Sequence, residues 1–123
     1  MTYIRANGTA LHLEMMGRGD PVLLLADIGE DLSSWTFQLG TLASCHFVLA
    51  LDNRGSGRSD SPAEPYTIET MAQDAASLID LIGLDKAHII GHGMGGLIAQ
   101  AIAARRPGRV KSLITICTPA RLT

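Results

Sequence analysis

The sequence predicts an α/β fold, a mostly parallel sheet of about six strands with helices on both faces. Three observations predict it. The apolar runs VLLLAD (22–27), HFVLAL (46–51) and AHIIG (87–91) have strand length and are largely continuous. Strands covered on both faces read this way. Segments with helical apolar spacing stand between them, so consecutive strands join through right-handed crossovers. Glycine-rich turns follow two of the runs, at DNRGSGRS and GHGMGG, at the strand ends where parallel sheets build their sites.

The elements follow in order. Tyr3–Ala6 and Leu11–Met16 flank Asn7-Gly8, a hairpin signal because both residues tolerate positive φ. Val22–Asp27 is the first buried strand. Asp31–Ala43 reads as a helix that places Leu32, Trp35, Leu39 and Leu42 on one face. His46–Leu51 is the next strand and runs into the polar loop Asp52–Ser59. Thr67 stands as N-cap of a helix carrying Ile68, Met71, Ala75, Leu78, Ile79 and Ile82 at helical spacing, closed by Gly83. Ala87–Gly91 is a strand and Met94–Arg106 a helix apolar nearly all round, hence expected to be buried. Pro107 stops that helix. Ser112–Cys117 is a last strand, with the composition of one buried inside a sheet.

The whole reads as one domain over residues 1–123, large enough for a single core. A formal net charge of −2 gives no reason to expect nucleic acid or an anionic membrane surface as partner. No apolar run has the length of a membrane span, and the opening MTYIRANG lacks the apolar core of a signal peptide. Cys45 and Cys117 stand far apart, as reduced thiols of a cytoplasmic protein would. No metal or cofactor is expected, because His12, His46 and His88 show no ligand spacing.

The stretch AHIIGHGMGG admits two chemistries. Gly91, Gly93 and Gly96 fit G-x-G-x-x-G, a dinucleotide cradle. Gly91-His92-Gly93-Met94-Gly95 fits a nucleophile elbow, G-x-S-x-G, without its serine. The cradle belongs after the first strand and needs an acidic residue after the next one. Here the turn follows the fifth strand, and Ile116-Cys117-Thr118 holds no acid. The elbow is the better reading.

N-G-x-x-L-x-L-E, then LLLADIGEDLSSW, DNRGSGRSD and YTIETMAQDAASLIDLIGLDKAHIIGHGMGG, occur in one order. That order resembles the α/β-hydrolase superfamily, in particular its small esterase, lactonase and haloperoxidase-like members. The likeness covers nearly the whole chain but only the N-terminal half of such a hydrolase, without a cap domain. It implies a serine hydrolase of small esters, lactones or related acyl compounds. The family's nucleophile falls on Gly93, which has no side chain. Its oxyanion-hole donors fall on the backbone N–H groups of Ile28 and Met94, and His92 packs beside the turn rather than acting as base. Where relatives carry His-Gly, or an apolar residue and Gly, this chain has Ala26-Asp27. A carboxylate there would oppose a developing oxyanion. The plainer expectation is that Asp27 points away and caps the helix after it. The resemblance implies that the loop holding Asp52 and Arg54 props the elbow through backbone hydrogen bonds rather than supplying an acid–base pair, and Cys117 is expected to be a buried, inert thiol.

The family's acid and base find no match in this chain, so the chain alone is expected to be inactive. The alternatives are a non-catalytic pseudo-hydrolase that binds or assembles, one half of a split hydrolase, and, third, a nucleotide-binding module. The expected partners are a small acyl ligand and, along the Ser112–Cys117 edge, a second copy or a separate C-terminal half.

Overall fold

The strand order β1-β2-β4-β3-β5-β6 places β3 and β5 at the centre of a six-stranded sheet. The strands are β1 (Thr2–Ala6), β2 (Thr9–Met16), β3 (Asp20–Leu25), β4 (His46–Leu51), β5 (Ala87–His92) and β6 (Val110–Ile116). The helices are α1 (Thr36–Ala43), α2 (Ile68–Ile82) and α3 (Met94–Arg105). The computed structural model describes residues 2–27, 29–63 and 66–118. β1 pairs antiparallel with β2, and β2 antiparallel with β4. The four strands β4, β3, β5 and β6 are parallel. No helix among the described residues is long and apolar enough to cross a membrane.

Side-chain alternation distributes the core over the two faces. On β3 and β4 the odd-numbered Leu23, Leu25, Leu49 and Leu51 face one way. There they meet Met71, Ala75, Leu78 and Ile79 of α2 and Ile98 and Ile102 of α3. The even-numbered Val22, Leu24, Val48 and Ala50 face the other way, onto Leu32 and Trp35. Leu39 and Leu42 of α1 pack against that second cluster. Each fully buried side chain of this kind stabilises the fold by roughly 1.5–3 kcal/mol.

Local signals close the elements. Asn7 (φ 51) and Gly8 (φ 76) make the hairpin turn. The Thr67 side chain accepts from the Thr70 N–H at the start of α2, and Gly83 ends that helix in the left-handed region. Several boundaries shift by one or two residues from the sequence reading, and three differences bear on the site and the sheet edge. The helix expected over Asp31–Ala43 is a 3-10 turn, Leu32–Trp35, followed by α1. The tighter turn arises because Asp31 caps it locally while Asp52 captures the Leu32 N–H from across the sheet. β3 stops at Leu25, so Ala26 and Asp27 leave the ladder and bend toward the end of β5. β6 begins two residues early and ends before Cys117, whose φ of 52 turns the chain out of the sheet.

β6 has an interior strand's composition but an edge position. Leu113, Ile114 and Ile116 are exposed, and among the described residues nothing pairs with its outer side. Lys111 at its start reaches Asp20 of β3 at 3.0 Å. The Lys111 ammonium holds that carboxyl below its usual range.

Candidate active site: the turn between β5 and α3

Residue 93 is where the strand becomes a helix. Gly93 takes φ 60 and ψ −122 as N-cap of α3, a conformation that strains any residue bearing a side chain. Its N–H donates to the Ile116 carbonyl at 2.9 Å, and its carbonyl accepts from the Gly96 N–H and from Thr118 Oγ1. The turn is also crowded. A Cβ on Gly91 would strike the Gly95 backbone, and one on Gly95 would strike the Leu25 carbonyl. The motif's glycines therefore let α3 lie against the ends of β3 and β5.

Asp27 decides what this turn can do. Its Oδ1 accepts the Met94 N–H at 2.8 Å. A Cβ built on Gly93 would lie closer than 3.0 Å to the carboxylate carbon and both oxygens. Asp27 thus occupies the space that a side chain on residue 93 would need and engages the Met94 N–H, one of the two donors expected from the sequence. It does not cap the following helix. Asp31 does that, accepting from the Ser33 N–H at 2.9 Å and from the Ser33 hydroxyl. These contacts, the Ser33 hydroxyl first, hold the Asp31 carboxyl below the usual value. Ile28, the other expected donor, lies outside the described residues. His92 is half-buried and faces a cleft of about 370 Å³ with Trp35, Gln38 and Ile116.

The loop after β4 is structural, as expected, but among the described residues the contacts of Asp52 and Arg54 run to the hairpin, the 3-10 turn and α2 rather than to the elbow. Asp52 is 2% exposed. Its Oδ1 accepts Leu32 N–H at 2.7 Å, and its Oδ2 meets His12 Nδ1 at 2.7 Å and Arg58 N–H at 3.0 Å. Arg54 makes a two-point pair with Asp74 of α2, both contacts 2.7 Å, and Asn7 Nδ2 donates to the same carboxylate. The loop therefore ties the N-terminal hairpin and α2 to the sheet. Asn53 reaches toward the site, its Nδ2 lying 3.4 Å from the Ala26 carbonyl. Spacing in the sequence could not reveal these pairs because, apart from Arg58, six residues from Asp52, the partners stand 20 to 67 residues away. Cys117 is exposed rather than buried, because among the described residues nothing covers the outer side of β6. No group of three or more metal-ligating side chains occurs among the described residues.

The strand order and the glycine-rich turn after β5, followed directly by α3, are those of one family. Residues 20–123 match the family described as alpha/beta hydrolase fold. The chain belongs to it. It is 37% identical over 116 residues to RutD of Azorhizobium caulinodans, a protein named as a carbamate hydrolase, covering 94% of this chain and 44% of that one. It is also 37% identical over 116 residues to epoxide hydrolase 3 of Siraitia grosvenorii, covering 92% and 37%. The enol-lactonase of Burkholderia xenovorans LB400 superposes with a TM-score of 0.85 at 37% identity, over 89% of this chain and 44% of that one. The chain thus spans less than half the length of the relatives it matches.

Proposed function

We propose that this α/β-hydrolase chain derives from a hydrolase of small esters, lactones or related acyl compounds, and that alone it does not carry out serine-type acyl transfer. The supporting observation is the Asp27–Gly93–Met94 contact. An acyl-transfer elbow needs a nucleophile at residue 93 and an open donor at residue 94. Here residue 93 offers no side chain, and the Met94 N–H is engaged by a carboxylate whose charge opposes an oxyanion. Loss of the nucleophile from such a site costs on the order of a million-fold in kcat. The lactonase and carbamate hydrolase relatives suggest the acyl class, which belongs to the lineage rather than to this chain's own chemistry. The purified chain should hydrolyse p-nitrophenyl butyrate at the buffer rate. Saturable turnover that survives alkylation of Cys45 and Cys117 would overturn the reading.

A second reading, a non-catalytic module that assembles, is favoured by one observation. β6 presents three exposed apolar side chains along an edge that no other strand pairs with among the described residues, an edge of the kind soluble proteins cover. A second copy pairing along the same edge would close it as a two-fold dimer, and a separate C-terminal half would do so by adding strands. Light scattering on the chain alone should give twice the chain mass. A monodisperse monomer at high concentration would exclude the dimer.

A further inference from the structure

The turn between β1 and β2 holds Asn7 and Gly8, both exposed and both at positive φ, 51 and 76. It is a two-residue turn, because Ala6 and Thr9 on either side are already paired. Asn7 also reaches out of it. Its Nδ2 donates to Asp74 Oδ1 of α2 at 2.9 Å, and the two oxygens of that carboxylate hold the Arg54 guanidinium at 2.7 Å each. Through this one amide the N-terminal hairpin joins the clamp between α2 and the loop after β4.

The same amide is open to chemistry. An asparagine followed by glycine loses its amide without an enzyme, because no side chain on the next residue hinders ring closure and glycine adopts the backbone angles that closure needs. A Cβ on Gly8 would meet nothing within 4 Å, and no group among the described residues accepts the Gly8 N–H. The chain has one other asparagine, Asn53. It is followed by Arg54 and is only 7% exposed, so it lacks both conditions.

We propose that Asn7 is a site of spontaneous deamidation, with water as co-reactant, and that the change unties the hairpin from α2. The Gly8 nitrogen, having given its proton to hydroxide, attacks Asn7 Cγ. The N–Cγ bond forms, the Cγ–Nδ2 bond breaks, and Nδ2 leaves as ammonia after taking a proton from water. Water then opens the cyclic imide at one of its two carbonyls, leaving aspartate or isoaspartate at position 7. The departing atom is the donor to Asp74, so the reaction removes that hydrogen bond by its own chemistry. In its place stands a carboxylate facing the Asp74 carboxylate, and like charges at such range repel. The isoaspartate product also routes the main chain through the former side chain. It thereby lengthens by one carbon a turn whose length sets the pairing of β1 with β2.

The test has two arms. In the first, the full chain is held in mildly alkaline buffer, where hydroxide is more abundant, and followed by peptide mapping with mass spectrometry. The peptide containing Asn7 should progressively gain the mass of an NH2-to-OH exchange, as a mixture of aspartate and isoaspartate, while the peptide containing Asn53 stays unchanged. An Asn7 peptide that stays unmodified, or an Asn53 peptide that changes as fast, overturns the assignment. The second arm uses Asn7→Asp, which supplies the product directly and keeps a residue type that tolerates positive φ. Asn7→Gly is its control, removing the amide without adding a charge. Both variants should fold, with N7D melting several degrees below N7G and with the β1 and β2 amides exchanging hydrogen faster than in wild type. An N7D chain that melts level with N7G, or exchanges those amides no faster than wild type, overturns the untying of the hairpin.

Discussion

Asp27 and Asp52 are the same residue at the same kind of place, just beyond the carboxyl ends of the adjacent parallel strands β3 and β4. Both accept backbone N–H groups, and they do opposite things. Asp52 is enclosed, with Leu32, Arg58 and His12 each taking a share of its two oxygens. It joins β2, the 3-10 turn and its own loop, and a carboxylate so satisfied is structural. Asp27 is half-buried and leans over a glycine, filling space that a side chain would otherwise need. Location at the strand ends therefore does not assign a role. The groups that converge on each carboxylate do.

The comparison can be broken at several points. The largest effect should come from Asp52→Ala, which strands two backbone N–H groups and a buried imidazole. Removing one partner of a buried pair costs about 3–5 kcal/mol, and urea denaturation should show a loss in that range or no stable fold. A loss below about 1 kcal/mol, the size of a surface pair, would mean that Asp52 is not the clamp described.

Gly93→Ser comes next. It places a side chain at positive φ and against the Asp27 carboxylate, so it should cost about 3 kcal/mol from strain and overlap together. Adding Asp27→Gly should recover at least about 1 kcal/mol, because residues in direct contact are coupled. Additive losses in that double-mutant cycle would show that the two positions do not compete for one space. Neither variant should turn over p-nitrophenyl butyrate, because a serine without a base stays protonated.

The smallest effect belongs to Asp31→Ala, which removes the cap that Asp27 does not provide, at a cost of about 1 kcal/mol. Its pH dependence has a definite sign. The Asp31 carboxyl is held below its ordinary 3.8 in the fold, so its contribution is present above that value and is lost as pH falls through the lower folded value. The stability gap between wild type and D31A should therefore narrow in acid below about pH 3.8. A gap that widens there would contradict the capping role.

The order of strands and helices was legible in the sequence because each depends on local pattern. Apolar runs at 22–27, 46–51 and 87–91 announced covered strands, Asn7-Gly8 a hairpin, and Thr67 and Gly83 the two ends of α2. The G-x-G-x-G stretch announced a sharp turn from strand to helix whose reacting position had no side chain. These signals span a few residues, the range over which backbone geometry and capping act. Tertiary structure alone decided which aspartate caps the 3-10 turn, which one fills the elbow, and that His12 and Asp74 answer Asp52 and Arg54. It also decided that β6, apolar as an interior strand, stands exposed at an edge. The reason is physical: a carboxylate takes whichever N–H groups or cations the folded sheet brings within about 3 Å of it, and those partners come from elements far away in the chain.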